Sequence, residues 1–271
     1  MIPQIYAPSP ALAPFVQCYW TLESAPEHTP TRNTIVPDGT MKLIFHYGDP
    51  YCHHSPSLGR TLLPRCFLIG QLTAPYVVEP LGATGTFVAR FHPNGFFPFS
   101  TIPLKAMVNT AVPLDVLFGI DGVALGAQIL AASTPAARIA CLEAFLLRRL
   151  AAGTGTDGRI QATLQTIVGA QGHLTVGQLS RQLHIDPRQL ARSYAREVGL
   201  SPKQLSKTIR LQATLKSLLT QEVDKLTELA YAHQYFDQAH FIKDFRAFTG
   251  LTPKQFYGEA LRMSLIFDRK A

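Results

Sequence analysis

The chain of 271 residues contains few cysteines. Its four cysteines contain no CxxC pair and are spread over the first half, which is typical of separate reduced thiols in a cytoplasmic protein. They are Cys18, Cys52, Cys66 and Cys141. No apolar run reaches the length of a membrane span, and the start, MIPQIYAPSP, lacks the basic and apolar regions of a secretory signal. We therefore expect a cytoplasmic protein with no membrane partner.

Recognisable signatures of catalysis are missing as well. The sequence contains no evident Ser/His/Asp arrangement, phosphate-binding loop or pair of carboxylates. Among the histidines of the first half, His53 and His54 are adjacent and would point apart on a strand. No carboxylate follows them closely, so the pattern does not match the ligand set of a cupin metal site. We expect no catalytic residue, no metal and no cofactor.

Positive charge is distributed unevenly along the chain. Residues 1–157 contain nine Lys or Arg and nine Asp or Glu, so their net charge is zero. Residues 158–271 contain sixteen Lys or Arg and nine Asp or Glu, so they carry the whole net charge of +7. This partition favours a polyanion as the partner of the C-terminal part, with an ordinary basic domain as the alternative.

The composition changes at AAGTGTDG, residues 151–158, which is typical of a short flexible linker. Before it, the segments TMKLIFHY and GTFVARF have strand-like character, and a helix capped by Thr134 follows them. After it, every segment favours helix. The sequence predicts an α+β protein with a β-rich, barrel-like N-terminal domain and trailing helices (1–150), a linker (151–157) and an all-α domain (158–271).

One phrase occurs twice near the C-terminus, as GLSPKQL at residues 199–205 and GLTPKQF at residues 250–256. In each copy the glycine is suited to end a helix in a left-handed turn. The [ST]-P-x-Q that follows is suited to begin the next helix with a capping box and a proline at its first position. Asp186 and Asp237, also 51 residues apart, are predicted N-caps of the helices that end at these glycines. The sequence thus predicts a duplicated helix–turn–helix.

Each repeated helix places polar side chains opposite its apolar face. A row of three arginines on the first helix repels itself unless phosphates or guanine edges face it, although a single charged row is more often a solvated surface. Because both copies have such a row, we predict DNA contacts, with Arg192 reading a base and Arg196 binding phosphate. The predicted DNA-binding residues are Arg188, Gln189, Arg192 and Arg196 in the first helix and Gln238, His240, Lys243 and Arg246 in the second.

The segment between the two copies predicts a rigid connector. Residues 202–220 contain no internal glycine or proline and repeat apolar side chains at helical spacing. Nineteen residues of helix extend about 28 Å. Such a rod suits two reading helices that enter successive major grooves of B-DNA, roughly 34 Å apart.

The segments QLSRQLHIDPRQLARSYAREVGLSPKQL and LTELAYAHQYFDQAHFIKDFRAFTGLTPKQF resemble the AraC/XylS family of bacterial transcription regulators. The resemblance covers about residues 175–257. It implies a C-terminal domain of seven helices, two recognition helices that contact double-stranded DNA, and contact with RNA polymerase if the protein is an activator. His184 and Gln234 stand where the family pattern has a turn glycine; a left-handed backbone there costs each on the order of 1 kcal/mol.

The segments YAPSPALAPFVQCYW, VPDGTMKLIF and ARFHPNGF resemble the sensor-like domain that often precedes this DNA-binding domain. The resemblance implies that the first half binds a small-molecule effector, dimerises, or does both. Aromatic side chains in such a domain line a pocket or, more often, fill the core. The candidate effector-binding residues are Tyr19, Trp20, Phe45 and Phe91.

Three functions therefore stay open. The first is a transcription regulator controlled by an effector in its N-terminal domain. The second is a cupin-like metalloenzyme domain fused to a DNA-binding domain, and the third is an effector-independent regulator whose first half only dimerises. One apolar stripe is either a homodimer contact or part of the domain's own core; it consists of Ile139, Leu142, Leu146 and Leu150.

Overall fold

The computed structural model describes residues 3–26, 31–152, 158–220 and 226–259. In these ranges strands dominate the first part and helices the rest, which confirms the predicted α+β class. Residues 153–157 of the predicted linker and residues 260–271 lie outside the described ranges, and the domain boundaries stay predictions. Among the described helices, none is long and apolar enough to cross a membrane.

Within the described ranges the strands form two antiparallel sheets rather than one closed barrel. The strands are β1 (Gln4–Tyr6), β2 (Val16–Ser24), β3 (Asn33–Ile35), β4 (Lys42–His46), β5 (Tyr51–Ser55), β6 (Gly59–Leu62), β7 (Cys66–Ile69), β8 (Tyr76–Pro80), β9 (Thr84–Phe91) and β10 (Ala111–Pro113). The first sheet has the order β1-β2-β9-β4-β7-β10, and the second has the order β3-β8-β5-β6. The expected barrel-like domain is therefore a two-sheet structure.

Strand β4 separates two apolar cores. Leu43 and Phe45 face a core that the first sheet shares with helices. Ile44 points the other way, into a core between the two sheets. Because both faces of the sheet are covered, all five residues of β4 are buried. As the predicted alternation requires, successive side chains point into different cores.

Three helices complete the N-terminal half: α1 (Leu114–Phe118), α2 (Ile120–Ala131) and α3 (Pro135–Ala152). At the start of α3, Thr134 Oγ1 accepts a hydrogen bond from the Ala137 N–H at 3.2 Å, as the sequence predicts. The apolar stripe of α3 lies in or against the core under the first sheet, through Ile139, Leu142, Leu146 and Leu150. Of the two alternatives for this stripe, packing within its own domain is the one that the structure contains.

Seven helices follow in the described ranges, the number that the family resemblance implies. They are α4 (Gly158–Gly169), α5 (Val176–Leu183), α6 (Pro187–Glu197), α7 (Pro202–Thr220), α8 (Leu226–Ala232), α9 (Gln238–Thr249) and α10 (Pro253–Glu259). Helices α5 and α6 form the first helix–turn–helix unit, and α8 and α9 form the second. Helix α7 joins them as the predicted connector.

The turns inside and after these units have the predicted backbone. Gly199 and Gly250 end α6 and α9 with φ of 88° and 78°. His184 and Gln234 are left-handed as well, with φ of 52° and 53°. Each of these two side chains therefore stands in a conformation that costs on the order of 1 kcal/mol relative to glycine.

The β-rich half packs directly on the connector helix α7. Gly39 precedes β4 with φ of +74°, and a Cβ built on it would lie 3.1 Å from Leu205 Cδ1 of α7. Gln212, further along α7, donates a hydrogen bond from Nε2 to the Pro37 carbonyl oxygen at 2.7 Å. The turn before β4 is thus held against α7 by both packing and a hydrogen bond.

The same half also contacts both repeated units. A Cβ on Gly199 would lie 3.0 Å from the Leu104 carbonyl oxygen, so the backbones approach closely there. A Cβ on Gly250 would lie 3.5 Å from Pro75 Cγ. Val36 packs against the core of the second unit. The glycine of each repeated phrase therefore lies beside the N-terminal half.

A buried ion cluster supports the turn that contacts α7. Asp38 Oδ2 lies 2.8 Å from Lys42 Nζ and 3.1 Å from Arg90 Nη2. Its Oδ1 accepts hydrogen bonds from the Thr40 backbone and hydroxyl at 3.1 and 2.8 Å. Burial raises the pKa of Asp38, but the two cations and the hydrogen bonds outweigh it and hold that pKa below its ordinary value. Asp38 is therefore the counter-charge for two largely buried cations.

Asp38→Asn is expected to destabilise the protein by about 3 kcal/mol, because it removes a buried counter-charge while the cations stay in place. The pKa of Asp38 is depressed in the folded state, so its contribution is present above the ordinary carboxyl pKa and lost as the pH falls through the folded value. Denaturant unfolding at neutral and acidic pH measures both effects.

The matched control for this variant is Asp121→Asn, since Asp121 is exposed in the first turn of α2. We expect this control to change the free energy of unfolding by less than about 0.5 kcal/mol. Equal unfolding curves for Asp38→Asn and Asp121→Asn would contradict a stabilising role for the Asp38 cluster.

Candidate nucleic-acid interface

Helix α6 carries the first set of predicted DNA contacts. Asp186 caps it by accepting hydrogen bonds from the backbone N–H groups of Arg188 and Gln189 at 2.9 and 3.0 Å. Leu190 is fully buried, which turns the opposite side of the helix to the surface. Arg188, Gln189 and Arg192 lie together on that exposed side.

A buried tyrosine anchors α6 so that this side stays outward. The hydroxyls of Tyr194 and Thr163, the latter on α4, lie 2.8 Å apart. Burial raises the pKa of Tyr194 to about 12, so the hydroxyl stays protonated and neutral at physiological pH. This hydrogen bond gives the buried hydroxyl a partner and orients the helix on α4.

Arg196 is on the same helix but has protein partners. Its guanidinium Nη2 lies 2.5 Å from Glu197 Oε1, and the carboxylate side chain is fully buried. The guanidinium carbon lies 5.6 Å from the centre of the Phe97 ring, which belongs to a short 3-10 helix, Phe97–Phe99, of the N-terminal half. Arg196, predicted to bind phosphate, is thus in contact with the β-rich half, and its role at DNA stays a prediction.

Helix α9 carries the second set of predicted contacts. Asp237 caps it by accepting a hydrogen bond from the His240 N–H at 2.7 Å, and Phe241 and Phe245 are fully buried. On the opposite side lies a shallow groove lined by Ala239, Ile242, Lys243, Arg246 and Ala247. Lys243 and Arg246 are the two cations on this exposed side.

Two predicted contacts of the second unit have protein partners as well. His240 lies on the flank of α9, with Nε2 3.5 Å from Asp244 Oδ2 and its ring against Tyr235. Its side chain is therefore only partly exposed. Gln238 is exposed at the start of α9, where its Oε1 accepts a hydrogen bond from Thr227 Oγ1 at 3.1 Å. The roles predicted for His240 and Gln238 at DNA stay predictions.

Asp244 connects α9 to the connector helix. It lies 3.1 Å from Lys207 Nζ and 3.6 Å from Arg210 Nη2, both on α7. The Arg210 guanidinium also lies 4.4 Å above the Tyr235 ring. No sequence pattern described above predicts this cluster, although the position of Arg210 within the apolar row of α7 is a signal for it. These contacts fix the second unit on α7.

The candidate effector residues fall in two separate layers. Tyr19, Phe45 and Phe91 lie in the core between the first sheet and the helices. Trp20 lies on the other side of the sheet, against the core between the two sheets. The structure therefore does not bring all four together, because neighbouring residues of one strand point to opposite faces.

The core between the sheets also contains a histidine that the sequence analysis did not choose. His46 Nδ1 lies 3.1 Å from Thr86 Oγ1, and the ring stacks on Tyr51 with centroids 4.4 Å apart. Its Nε2 is buried and has no hydrogen-bond partner. Burial, and secondarily the positive charge of Arg65, lowers the pKa of His46 to about 4, so the ring is neutral at physiological pH.

The adjacent histidines of β5 have separate surroundings. His53 stacks on Tyr76 with centroids 3.8 Å apart, whereas His54 Nε2 lies 2.7 Å from Glu79 Oε2. Within the described parts of the chain, no three His, Cys, Asp or Glu residues are grouped so that they could hold a metal ion. Stacking therefore accounts for His53, and the contact with Glu79 accounts for His54.

Family models match both halves of the chain. A model described as a domain of unknown function matches residues 4–113, and one described as a helix-turn-helix domain matches residues 179–258. The second match spans both repeated units. No curated protein matches the chain.

Solved structures with a similar arrangement come from several bacteria. ToxT from Vibrio cholerae is 10% identical over 88% of this chain and 97% of that chain, with a TM-score of 0.47. The C-terminal domain of AraT, a response regulator from Geobacillus stearothermophilus, is 24% identical over 44% of this chain and 97% of that chain, with a TM-score of 0.36. A probable AraC family transcriptional regulator from Rhodopseudomonas palustris is 21% identical over 38% and 98%, with a TM-score of 0.34.

Residue patterns and the family model, rather than these distant structural likenesses, identify the helical half. It contains two capped helix–turn–helix units, joined by one long helix, in the stretch that the helix-turn-helix model matches. The duplicated phrase at Gly199 and Gly250 ends the second helix of each unit. The C-terminal part of the chain, residues 179–258, is therefore a helix-turn-helix domain.

Proposed function

We propose that this protein is a sequence-specific DNA-binding transcription regulator that acts in the cytoplasm and has no catalytic activity. The observation that carries the proposal is the pair of capped helices, α6 and α9, each with an exposed cationic side in a duplicated helix–turn–helix. A helix that enters the major groove by its N-terminus reads base edges with its first exposed residues. The net charge of +7 in residues 158–271 supports a polyanionic partner.

Within the two units, some residues are suited to read bases and others to bind the DNA backbone. Arg188 and Arg192 are one helical turn apart on the exposed side of α6, where an arginine can donate two hydrogen bonds to guanine O6 and N7. Lys243 occupies on α9 the place that Arg192 has on α6, 51 residues earlier. Gln238 offers an amide, the group that pairs best with adenine. Because α7 packs on both units, we propose that they bind DNA as one body on two successive grooves.

Arg192→Ala is expected to weaken the preferred duplex by about 1–3 kcal/mol and to flatten the base preference at one or two positions, because it removes a base-edge contact. Arg196→Ala is expected to weaken all duplexes alike and to reduce the slope of log affinity against log salt by about one unit, as loss of a phosphate contact does. Binding-site selection and salt titration of the full-length proteins measure both.

Arg148→Ala is the matched control, since Arg148 is exposed on α3, outside the helical half. It should leave the selected sequence and the salt slope unchanged. An unchanged base preference for Arg192→Ala, or a position-specific change for Arg196→Ala, would show that the two roles are wrongly assigned.

We also propose that the N-terminal half controls DNA binding in response to a small-molecule effector. The support is the contact of this half with α7 at Gly39 and Gln212 and with both units at Gly199 and Gly250. A ligand that changes the packing of the β-rich half changes the position of α7 and of both reading helices. Such an effector binds the DNA-competent arrangement and the alternative arrangement with different affinities. This difference in affinity is the thermodynamic requirement for control.

The inter-sheet core is the part of the N-terminal half that we propose as the effector site. His46 supplies a buried nitrogen without a hydrogen-bond partner, and a ligand hydroxyl, which can both donate and accept, would satisfy it in either tautomer of the ring. Trp20 and Tyr51 lie against the same core and supply aromatic surface. The three other candidates of the sequence analysis lie on the far face of the sheet and fill a core instead.

His46→Phe is expected to abolish stabilisation by compounds that raise the melting temperature of the wild-type protein in a metabolite screen. The variant keeps an aromatic ring and removes the unpaired nitrogen. It also removes Nδ1, the partner of the buried Thr86 hydroxyl, so we expect its free energy of unfolding at pH 7 to fall by about 1–3 kcal/mol. Tyr19→Phe, on the opposite face of the sheet, is the control and should keep the response. Loss of the response in Tyr19→Phe alone would reject the inter-sheet site.

The same variant has a pH signature. The folded-state pKa of His46 is about 4, whereas an unfolded histidine titrates near 6.5. Between these values the unfolded chain binds a proton that the folded chain does not, so wild-type stability falls as the pH drops from about 6.5 to about 4. The difference in stability between wild type and His46→Phe should change in this window and level off below it.

Two other functions are tested by simple measurements. If the first half only dimerises, calorimetric titration against a metabolite library gives no heat, and sedimentation gives a dimer. If it were a cupin-like metalloenzyme domain, the purified protein would contain stoichiometric metal. Contact with RNA polymerase belongs to the proposal only if the protein activates its promoter.

A further inference from the structure

One large apolar side chain of the second unit has no place in its core. Phe236 is 86% exposed, immediately before the capping residue Asp237 of α9. A residue at this position often packs on the fourth residue of the helix and so fixes the entry of the chain. That fourth residue, Phe241, is fully buried, but Phe236 is outside the cluster around it. Phe236 therefore does not stabilise the start of α9 in the usual way.

The first unit shows what the usual arrangement is. Ile185 stands 51 residues before Phe236 and packs against the cluster of Leu190, the fourth residue of α6. In the second unit the place is taken by Tyr235, whose ring centre lies 5.2 Å from that of Phe241. Since Tyr235 fills the slot, Phe236 is left at the surface. Among the described residues, Phe236 thus makes no contact with the core of the second unit.

Phe236 directly precedes the helix that carries the second set of proposed DNA contacts. Ala239, three residues later, is exposed on the first turn of α9 and lines the groove that contains Lys243 and Arg246. In the first unit, the residue equivalent to Ala239 is Arg188. The second reading helix thus has an alanine where the first has an arginine, while cations follow further along the same side.

We propose that Phe236, with Ala239 beside it, contacts the 5-methyl group of a thymine in the half-site of the second unit, an inference that rests on the proposed DNA-binding function. The thymine methyl is the apolar group that the major groove displays, and phenylalanine and alanine are side chains that recognise it. Phe236 directly precedes, in the chain, the capped helix whose groove carries Lys243 and Arg246, and these cations select a polyanion as the occupant. The first unit then reads guanine through arginine, and the second reads a thymine.

The experiment uses full-length protein and the duplex enriched from a randomised library. The half-site whose preference changes in Arg192→Ala belongs to the first unit, so the other half-site belongs to the second. Each thymine of that second half-site is replaced singly by deoxyuridine, which removes only the 5-methyl group. Affinities of wild type, Phe236→Ala and Leu58→Ala are measured on every duplex. Leu58, 75% exposed before β6 of the N-terminal half, is the matched control.

We expect wild type and Leu58→Ala to lose roughly 3- to 5-fold in affinity at one or two deoxyuridine positions, the effect of one methyl group leaving an apolar contact. Phe236→Ala should bind the thymine duplex more weakly by a similar factor and should be insensitive to deoxyuridine there. Replacements in the first half-site should affect wild type and Phe236→Ala equally.

The proposal is overturned if deoxyuridine leaves wild-type affinity unchanged, if Phe236→Ala keeps the wild-type sensitivity, or if the second half-site contains no thymine. An unchanged DNA affinity of Phe236→Ala would likewise reject DNA as the occupant and leave a protein partner for this residue. Failure of the proposed function gives a different result: no duplex is enriched from the library by wild-type protein, and both proposals are rejected.

Discussion

Helix α7 is the element on which the rest of the structure depends. Its apolar row takes part in the cores of both repeated units, and Asp244 ties two of its cations, Lys207 and Arg210, to α9. The turn at Gly39 lies against the same helix on the side of the β-rich half. A shift of α7 therefore moves both reading helices.

Charge has two different uses in this protein. Buried carboxylates such as Asp38 and Asp244 hold cations inside the structure, where each pair needs its partner because a lone buried charge is costly. The exposed cations of α6 and α9, such as Arg192 and Lys243, carry their charge on the solvent-facing side of each helix. Arg196 belongs to neither group completely, since it is partly exposed yet bonded to a buried carboxylate and placed over Phe97.

The two units share the way in which their reading helices begin and end, and they differ in the side chains that they expose. Gly199 and Gly250 end their helices in the same way, and an aspartate caps each reading helix. Arg188 is replaced by an alanine in the second copy, and the core slot next to Phe241 is filled by Tyr235. The duplication therefore gives two similar units, and single substitutions give each unit a different set of exposed side chains.

The sequence by itself determined the α+β class, the duplicated units and most helix ends, because caps, turn glycines and helical periodicity depend on residues within one or two turns. It also determined that Arg188 and Arg192 share an exposed face. Only the tertiary structure decided that the strands form two sheets, that the first sheet has a core on each face, and that Arg196 lies over Phe97. These outcomes depend on contacts between residues far apart in the chain, which local patterns do not specify.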